Sequence, residues 1–330
     1  MSVEKPDCTI VIRAYNEEAH IGRLLQGISQ QTLKNVQVVL VDSGSTDRTV
    51  EIARQYPVEI THIAPDEFTF GRSLNLGIQQ ARADYVVMAS AHVYPVYPDW
   101  LEKLVAPLQK DEQIALSYGK QRGAEITMFS EHQIFHNWFG EQSTPRQSHP
   151  FCNNANCAVR KTLWEVHPYD EAIPALEDLA WARWAFDQGY AIAYSAEAEI
   201  IHVHQQNWRS IFNRYRREGM AFKQIYPQEH FTWLDLIRLW TGNVVNDLRA
   251  AGELGRFWKE IIPVARFRWA QFFGTYQGYR QSSLTWQLKQ AFYYPNASLA
   301  KARPAQRGVM PIDYSNGRDC SEMQNQQGKL

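Results

Sequence analysis

Polar side chains that could hydrogen-bond to a ligand follow three apolar segments of the chain. These polar groups occupy residues 13–17, 42–47 and 90–92. A carboxylate such as that of Asp42 can accept a hydrogen bond from a nucleobase imide or from ribose hydroxyls. Asp42 is equally well explained as a turn residue, because the Ser, Thr and Asp at positions 45–47 are ordinary helix-capping residues.

The segments before these residues have the pattern of buried strands that alternate with helices. Strands are predicted over residues 8–13, 36–41, 58–63 and 85–89, and helices lie between them. This alternation predicts an α/β fold with a parallel sheet and helices on both faces. Ligands of such sheets bind outside the carboxyl ends of the strands, so the three polar groups are expected to converge in space.

The rest of the chain continues with mixed elements and then becomes helical. Helices are predicted over residues 100–109 and 176–188, and strands over residues 114–118, 191–194 and 199–203, with residues 151–159 a strand or a loop. Residues 121–150 show no clear period and are predicted to form a mobile region near the site. After Trp208 the pattern is helical, and residues 298–330 are polar, which predicts a loosely ordered tail.

Composition excludes several classes of protein. The 330 residues are 45% hydrophobic and 21% charged, with a net charge of −1, which is typical of a globular protein. Four cysteines are too few for a disulfide framework, so buried thiols are expected. The sequence shows neither a signal peptide nor a run of eighteen apolar residues. These features predict a cytoplasmic protein.

Four blocks of the sequence have a recognisable order. They lie in residues 11–18 with 41–49, in residues 70–78, in residues 83–88, and in residues 176–181 around Leu176-Glu177-Asp178. Together they resemble family 2 glycosyltransferases, which have the GT-A fold. Each block alone is weakly specific, but four in the right order are strongly specific. The resemblance covers roughly residues 7–225. It implies a Rossmann-like, mixed but mostly parallel sheet flanked by helices, with a helical C-terminal extension.

The resemblance also implies roles for individual residues. It places Asp178 as the catalytic base, with Glu177 as the rival, since only one of two adjacent helical residues faces a cleft. A nucleotide-diphosphate sugar is the implied donor. The residues implied to bind it are Ala14, Tyr15, Glu17, Asp42, Ser45, Arg72, Asn75 and Ser90.

The sequence departs from the family where a metal is usually held. The family's Asp-x-Asp motif is replaced here by Ser90-Ala-His92, so His92 is the predicted metal ligand and metal dependence is open. His202 and His204 follow the last predicted strand on one face, and His204, nearer the strand end, is the preferred second ligand. Structural histidines are the alternative. Mn²⁺ or Mg²⁺ is the implied metal, although histidine is a less usual ligand for Mg²⁺.

The C-terminal third is rich in basic and aromatic residues. Residues 207–290 contain thirteen Lys or Arg against six Asp or Glu, and six of the eleven tryptophans. Packing against the catalytic domain is one explanation, and contact with a membrane surface or lipid acceptor is another. Arg214, Arg216 and Arg217 could contact a diphosphate or a phospholipid, or could form a solvated helix face. No motif supports nucleic-acid binding.

These observations predict three regions. Residues 1–225 form the glycosyltransferase domain, with a nucleotide-sugar half (1–110) and an acceptor half (111–225). Residues 226–297 form an amphipathic helical extension, for which peripheral membrane contact is one of the two explanations above, and residues 298–330 form the tail.

The predicted activity is inverting transfer of a hexosyl or deoxyhexosyl group to a glycan or lipid-linked acceptor in surface polysaccharide biosynthesis. A rhamnosyltransferase-like role is favoured within this class. The alternatives are a sugar nucleotidyltransferase and a binding module without turnover. Residues 13–18 contain no glycine, which disfavours the nucleotidyltransferase.

Overall fold

The computed structural model describes residues 5–64, 66–204, 207–280 and 307–314. Its first part alternates strands and helices as the sequence predicts. The strands are β1 (Cys8–Ala14), β2 (Val36–Asp42), β3 (Glu59–His62) and β4 (Tyr85–Ser90), and the helices are α1 (Ile21–Ser29), α2 (Thr49–Ala53) and α3 (Phe70–Gln79). Helices cover both faces of the sheet, so β1, β2 and β4 are buried on both sides and their sequences are mostly apolar.

The second part completes the sheet with antiparallel strands. Its elements are β5 (Val93–Pro95), α4 (Trp100–Lys110), β6 (Ile114–Gly123), α5 (Phe129–Trp138), β7 (Asn156–Arg160), α6 (Lys161–Val166), α7 (Glu177–Asp187) and β8 (Ala191–His202). The strand order is β3-β2-β1-β4-β7-β6-β8-β5. Neighbours from β3 to β4 are parallel, β7 is antiparallel to β4 and β6, and β6 is parallel to β8. The predicted mixed, mostly parallel sheet is therefore confirmed.

Two details of the second part differ from the sequence prediction. Residues 121–150, predicted as an aperiodic region, contain the end of β6 and the whole of helix α5. The buried residues of α5 include Ser130 and Glu131 beside Phe129, Ile134 and Phe135, so polar residues interrupt the apolar period that would reveal a helix. The two predicted short strands near residue 200 are one strand, β8.

The C-terminal part contains three long helices, α8 (Trp208–Ile225), α9 (Trp233–Glu253) and α10 (Phe257–Tyr279). Helices α8 and α10 approach each other closely at glycines. A Cβ atom at Gly274 would lie 2.6 Å from the carbonyl oxygen of Phe212, and one at Gly278 would lie 2.4 Å from that of Arg216. Only glycine allows this spacing, so Gly274 and Gly278 permit the close packing of α10 on α8.

A buried ion pair connects α9 to α10. The Arg268 guanidinium donates to both carboxylate oxygens of Asp247 at 2.8 Å, and to the carbonyl oxygen of Ser130 in α5 at 3.3 Å. Both charged side chains are almost fully buried. Removing one member leaves the other charged and unpaired in the protein interior.

We therefore expect Arg268→Ala to lower the free energy of unfolding by about 3–5 kcal/mol. Arg48→Ala is a suitable control, because Arg48 pairs with Glu51 on the surface, and the loss there is expected to be below about 1 kcal/mol. Urea unfolding of both variants measures the difference. Equal losses of unfolding free energy in the two variants would show that the buried ion pair stabilises the fold no more than the surface pair does.

Several other sequence predictions fall on the described residues. Cys8, Cys152 and Cys157 are buried free thiols, as expected. No helix in the described ranges has the length and apolar character needed to cross a membrane. Residues 281–306 and 315–330, which include most of the predicted tail, lie outside the described residues. Residues 307–314 contact the sheet domain, where the Ile312 amide donates to the Val96 carbonyl oxygen at 2.9 Å.

Candidate active site

The carboxyl ends of β1, β2 and β4 bring the three polar groups together. In the sheet register, Ala14 lies opposite Asp42, and Arg13 lies opposite Ser90. Strand β7 runs antiparallel to β4 with Asn156 opposite Ala89, so the residues just before β7 reach the same edge. Asp42, His92 and Asp178 lie on segments that meet at this edge.

Asp42 anchors a tight loop at this edge. Its carboxylate accepts hydrogen bonds from the backbone amides of Gly44 and Ser45 at 3.2–3.3 Å, and it lies 3.1 Å from Nδ1 of His62. The Ser45 hydroxyl in turn accepts the backbone amide of Asn16 at 2.9 Å, which joins the loops after β1 and β2. Both interpretations of Asp42 therefore remain, because the carboxylate shapes the turn and stands at the ligand-binding edge.

Three histidines cluster beside this edge. The ligand-capable atoms of His92, His202 and His204 all lie within 4.8 Å of one another. Backbone pairing brings them together, because β5 pairs with β8 and the Val203 amide donates to the His92 carbonyl oxygen at 3.0 Å. The ring centroids of His202 and His204 are 4.0 Å apart, and that of His92 is 5.0 Å from His202.

Each imidazole of the cluster has an oxygen atom near its Nδ1. Glu17 Oε1 lies 2.7 Å from His92, Gln121 Oε1 lies 2.8 Å from His202, and Glu131 Oε1 lies 2.7 Å from His204. An acceptor at Nδ1 fixes the proton there and leaves Nε2 as a lone-pair donor. The buried Nε2 of His202 has no hydrogen-bond partner in the described structure.

This donor set fits a divalent metal ion. Burial lowers the pKa of His202 well below its usual value, and neighbouring His204 and His92 lower it further, so this imidazole is neutral as a ligand must be. Three imidazole nitrogens suit Mn²⁺-like or Zn²⁺-like ions, whereas Mg²⁺ prefers oxygen ligands. The cluster thus offers ligands where Ser90 replaces the first carboxylate of Asp-x-Asp.

Glu131 and Arg214 support this cluster, and the sequence did not point to Glu131. The Arg214 guanidinium donates to Glu131 at 2.8 Å and lies 3.2 Å from Nδ1 of His204. Burial alone would raise the pKa of Glu131, but the charges of Arg214 and His204 outweigh it and lower that pKa to about 2. The Arg214 side chain is part-buried beside His204 and is not part of a solvated helix face, whereas Arg216 and Arg217 are exposed.

The two acidic residues at the start of α7 have different surroundings. Glu177 is buried and accepts from Arg13 at 3.0 Å. Asp178 accepts the backbone amides of Asn154 at 3.0 Å and Leu179 at 2.8 Å. Burial, followed by the charge of Glu177, raises the pKa of Asp178 to about 7. Asp178 therefore has the pKa of a general base, while Glu177 is held as the partner of Arg13.

The backbone is strained at two points of this edge. Among the described residues, Asn16 (φ 54°) and Leu176 (φ 58°) have a positive φ without being glycine. Asn tolerates this region, but a leucine there costs free energy that surrounding contacts must offset. Leu176 immediately precedes Glu177 and Asp178, so the strain lies where the two carboxylates are oriented.

A family model matches nearly half of the chain. Residues 9–166 match the model of glycosyl transferase family 2. The chain carries a family 2 glycosyltransferase domain. It is 27% identical over 235 residues to the O-antigen chain rhamnosyltransferase WbaN of Salmonella anatum, covering 65% of this chain and 72% of that protein. It is 26% identical over 224 residues to RfbN of Salmonella typhimurium, with 64% and 71% covered.

Solved structures of glycosyltransferases share the fold. The mannosyltransferase PcManGT of Pyrobaculum calidifontis, in complex with GDP-Man and Mn²⁺, superposes with a TM-score of 0.55 at 17% identity, covering 84% of this chain and 85% of that chain. Glucosyl-3-phosphoglycerate synthase of Mycobacterium tuberculosis gives a TM-score of 0.51 at 20% identity, covering 67% and 80%. This glycosyltransferase therefore has the predicted GT-A fold.

The remaining residues that were predicted to bind the sugar donor differ in whether their polar groups are free to contact a ligand. Tyr15 has 57% of its surface exposed and can stack on a ligand, and Ser90 ends β4 at the site. Arg72 is exposed, pairs with Glu67 at 3.2 Å and lines a pocket with His62. Asn75 accepts from Trp164 and Tyr169 and donates to Tyr169 and Glu171, which uses its full hydrogen-bonding capacity. This geometry favours a structural role for Asn75 over the predicted donor contact.

Proposed function

We propose that this glycosyltransferase moves a sugar from a nucleotide-diphosphate donor to an acceptor hydroxyl with inversion of the anomeric centre. The observation that carries the proposal is the pairing of Asp178, whose pKa is raised to about 7, with a histidine cluster near the same sheet edge. A carboxylate with that pKa can take the proton of the attacking hydroxyl near neutral pH. A single displacement on one face of the sugar inverts the configuration. Glu177 is buried and held in an ion pair with Arg13, so it is a poor covalent nucleophile.

The donor would occupy the edge formed by the loops after β1 and β2. Tyr15 offers an aromatic face to the base, Asp42 and Ser45 offer hydrogen bonds to base and ribose, and Ala14 and Glu17 line the same loop. His92, His202 and His204 would hold a divalent metal, for which Mn²⁺ suits the imidazoles better than Mg²⁺. When bound, such an ion supplies positive charge against the leaving diphosphate.

The acceptor is proposed to be a glycan or lipid-linked glycan in surface polysaccharide assembly. Support comes from the relatives, which are O-antigen chain rhamnosyltransferases, so a deoxyhexosyl group such as rhamnosyl is the favoured cargo. Assembly on a lipid carrier would place the enzyme in the cytoplasm, peripherally at the inner face of the membrane. The helices within residues 226–297 would make that contact.

A donor screen tests the proposal. UDP-, GDP- and dTDP-sugars are added to the enzyme with and without Mn²⁺, and thermal unfolding is followed. The expected result is that one donor stabilises the protein in the presence of Mn²⁺, by about 2.7 kcal/mol at a hundred times its dissociation constant. Asp42→Ala should remove this shift, whereas Asp84→Ala, an exposed carboxylate paired with Lys5, should keep it. Absence of a shift with every nucleotide sugar would contradict the proposal.

A further inference from the structure

The turn between α9 and α10 exposes an unusual amount of apolar surface. Leu254, Trp258 and Ile262 are 65%, 86% and 66% exposed, and Phe257 is 38% exposed. Trp258 and Ile262 lie one helical turn apart, on the same side of α10. We call residues 249–262 the α9–α10 tip. Helices α9 and α10 and the turn between them contain eight of the thirteen large hydrophobic side chains that are exposed in the described ranges.

The tip and its flanks are basic. The exposed basic side chains along α9 and α10 between residues 238 and 266 are Arg238, Arg249, Arg256, Lys259 and Arg266. Over the same span, Glu253 is the acidic side chain with an exposed surface, because Asp247 and Glu260 are buried in pairs with Arg268 and Arg256. An apolar tip with a tryptophan, flanked by cations, has the chemistry that binds the interface of an anionic lipid bilayer.

We infer that the α9–α10 tip inserts its apolar side chains into an anionic bilayer, with Arg249 and Lys259 at the headgroups. A second copy of the chain fits this surface poorly. A two-fold contact through the tip would bring the cations of both copies into one interface, with Glu253 as the exposed acidic side chain of each. A bilayer with anionic headgroups both covers Trp258 and Ile262 and neutralises those cations.

The helices that carry the tip are connected to the candidate site by hydrogen bonds. Arg268, which binds Asp247 of α9, also donates to the carbonyl oxygen of Ser130 in α5. The next residue, Glu131, lies 2.7 Å from Nδ1 of His204. Insertion of the tip would therefore fix the orientation of the histidine cluster relative to the bilayer. That this orientation would help the enzyme reach a lipid-linked acceptor rests on the proposed function. Membrane binding by the tip does not depend on it.

Sedimentation with vesicles tests the inference on the full chain. The probes are vesicles of phosphatidylcholine alone and of phosphatidylcholine mixed with phosphatidylglycerol. We expect binding to the mixed vesicles that weakens with salt. Arg249→Glu with Lys259→Glu should weaken it by at least about 30-fold, since each lost cation costs roughly 1 kcal/mol. Trp258→Ser with Ile262→Ser should weaken it by at least about tenfold, because the inserted apolar area is lost.

Matched controls separate the tip from general surface properties. Val166→Ser removes an apolar side chain that is 74% exposed in another part of the chain, and Lys110→Glu reverses an exposed charge in α4. Both should bind vesicles as the unchanged protein does. No binding by the unchanged protein, or equal binding by the tip variants, would overturn the inference, as would loss of self-association in the tip variants without vesicle binding.

The donor screen on the same proteins keeps the two proposals distinguishable. Tip variants should keep the nucleotide-sugar thermal shift, because the tip makes no contact with the donor edge in the proposed site. Vesicle binding without any donor shift would support membrane binding by the tip and contradict the proposed function. A donor shift without vesicle binding would support the proposed function and contradict membrane binding by the tip.

Discussion

Replacing Asp178 with Asn is expected to lower turnover by about 10²–10⁴-fold while leaving donor binding nearly unchanged. Asn keeps the shape of the side chain, and its single oxygen can still accept one of the two amides, that of Asn154 or that of Leu179. It cannot accept the proton of the acceptor hydroxyl. The measurement is the rate of sugar transfer with saturating donor, beside the thermal shift given by the same donor.

The pH dependence of the unchanged enzyme gives an independent test of the same residue. A general base must be deprotonated to act, and burial together with Glu177 raises the pKa of Asp178 to about 7. The value of kcat/KM should therefore rise as pH increases through about 7 and level off above it. The residual activity of Asp178→Asn should lack this rise.

Glu177→Gln is the comparison that decides between the adjacent acids. Glutamine can keep a hydrogen bond to Arg13 and removes the negative charge beside Asp178. That charge helps to raise the pKa of Asp178, so the midpoint of the pH profile should move to lower pH. Turnover at high pH should fall far less than in Asp178→Asn. A larger loss in Glu177→Gln would transfer the base role to Glu177.

The sequence alone predicted the strands that are buried on both faces of the sheet. Strands β1, β2 and β4 are buried on both faces, so each is a mostly apolar run, and the polar residues at or just after its carboxyl end mark the binding edge. His202 and His204 share a face because side chains alternate along an extended chain, and this local rule correctly brought them together.

The contacts that hold the site residues in place could not be predicted from the sequence pattern. Helix α5 buries Ser130 and Glu131, and a helix with polar residues on its inner face does not show an apolar period. Arg13 and Glu177 are 164 residues apart, and their pairing depends on how α7 meets the end of β1. Arg214 has the same sequence surroundings as the exposed Arg216 and Arg217, and tertiary packing against α5 alone distinguishes it.

Removing one histidine of the cluster is the second change with a large expected effect. His202→Ala deletes the imidazole whose Nε2 is buried without a partner in the described structure. With two imidazoles left, the affinity for Mn²⁺ should fall by more than about 100-fold, since even the loss of a residue behind a ligand costs 10–100-fold. Titration of the metal-free protein followed by electron paramagnetic resonance measures free Mn²⁺ directly. His230→Ala, an exposed histidine outside the cluster, should bind Mn²⁺ normally.

Variants of Glu17, which contacts His92 on the side away from the proposed metal, test whether the histidines act as metal ligands or as structural groups. Glu17 Oε1 lies 2.7 Å from Nδ1 of His92, and Glu17→Ala should weaken Mn²⁺ binding by about 10–100-fold. Glu17→Gln keeps an oxygen acceptor at the same place and should recover part of that loss. A purely structural cluster predicts another pattern, in which metal chelation leaves the melting temperature of the unchanged protein as it was. In that case His202→Ala would change stability equally with and without Mn²⁺. That result would contradict the assignment of the three histidines as metal ligands.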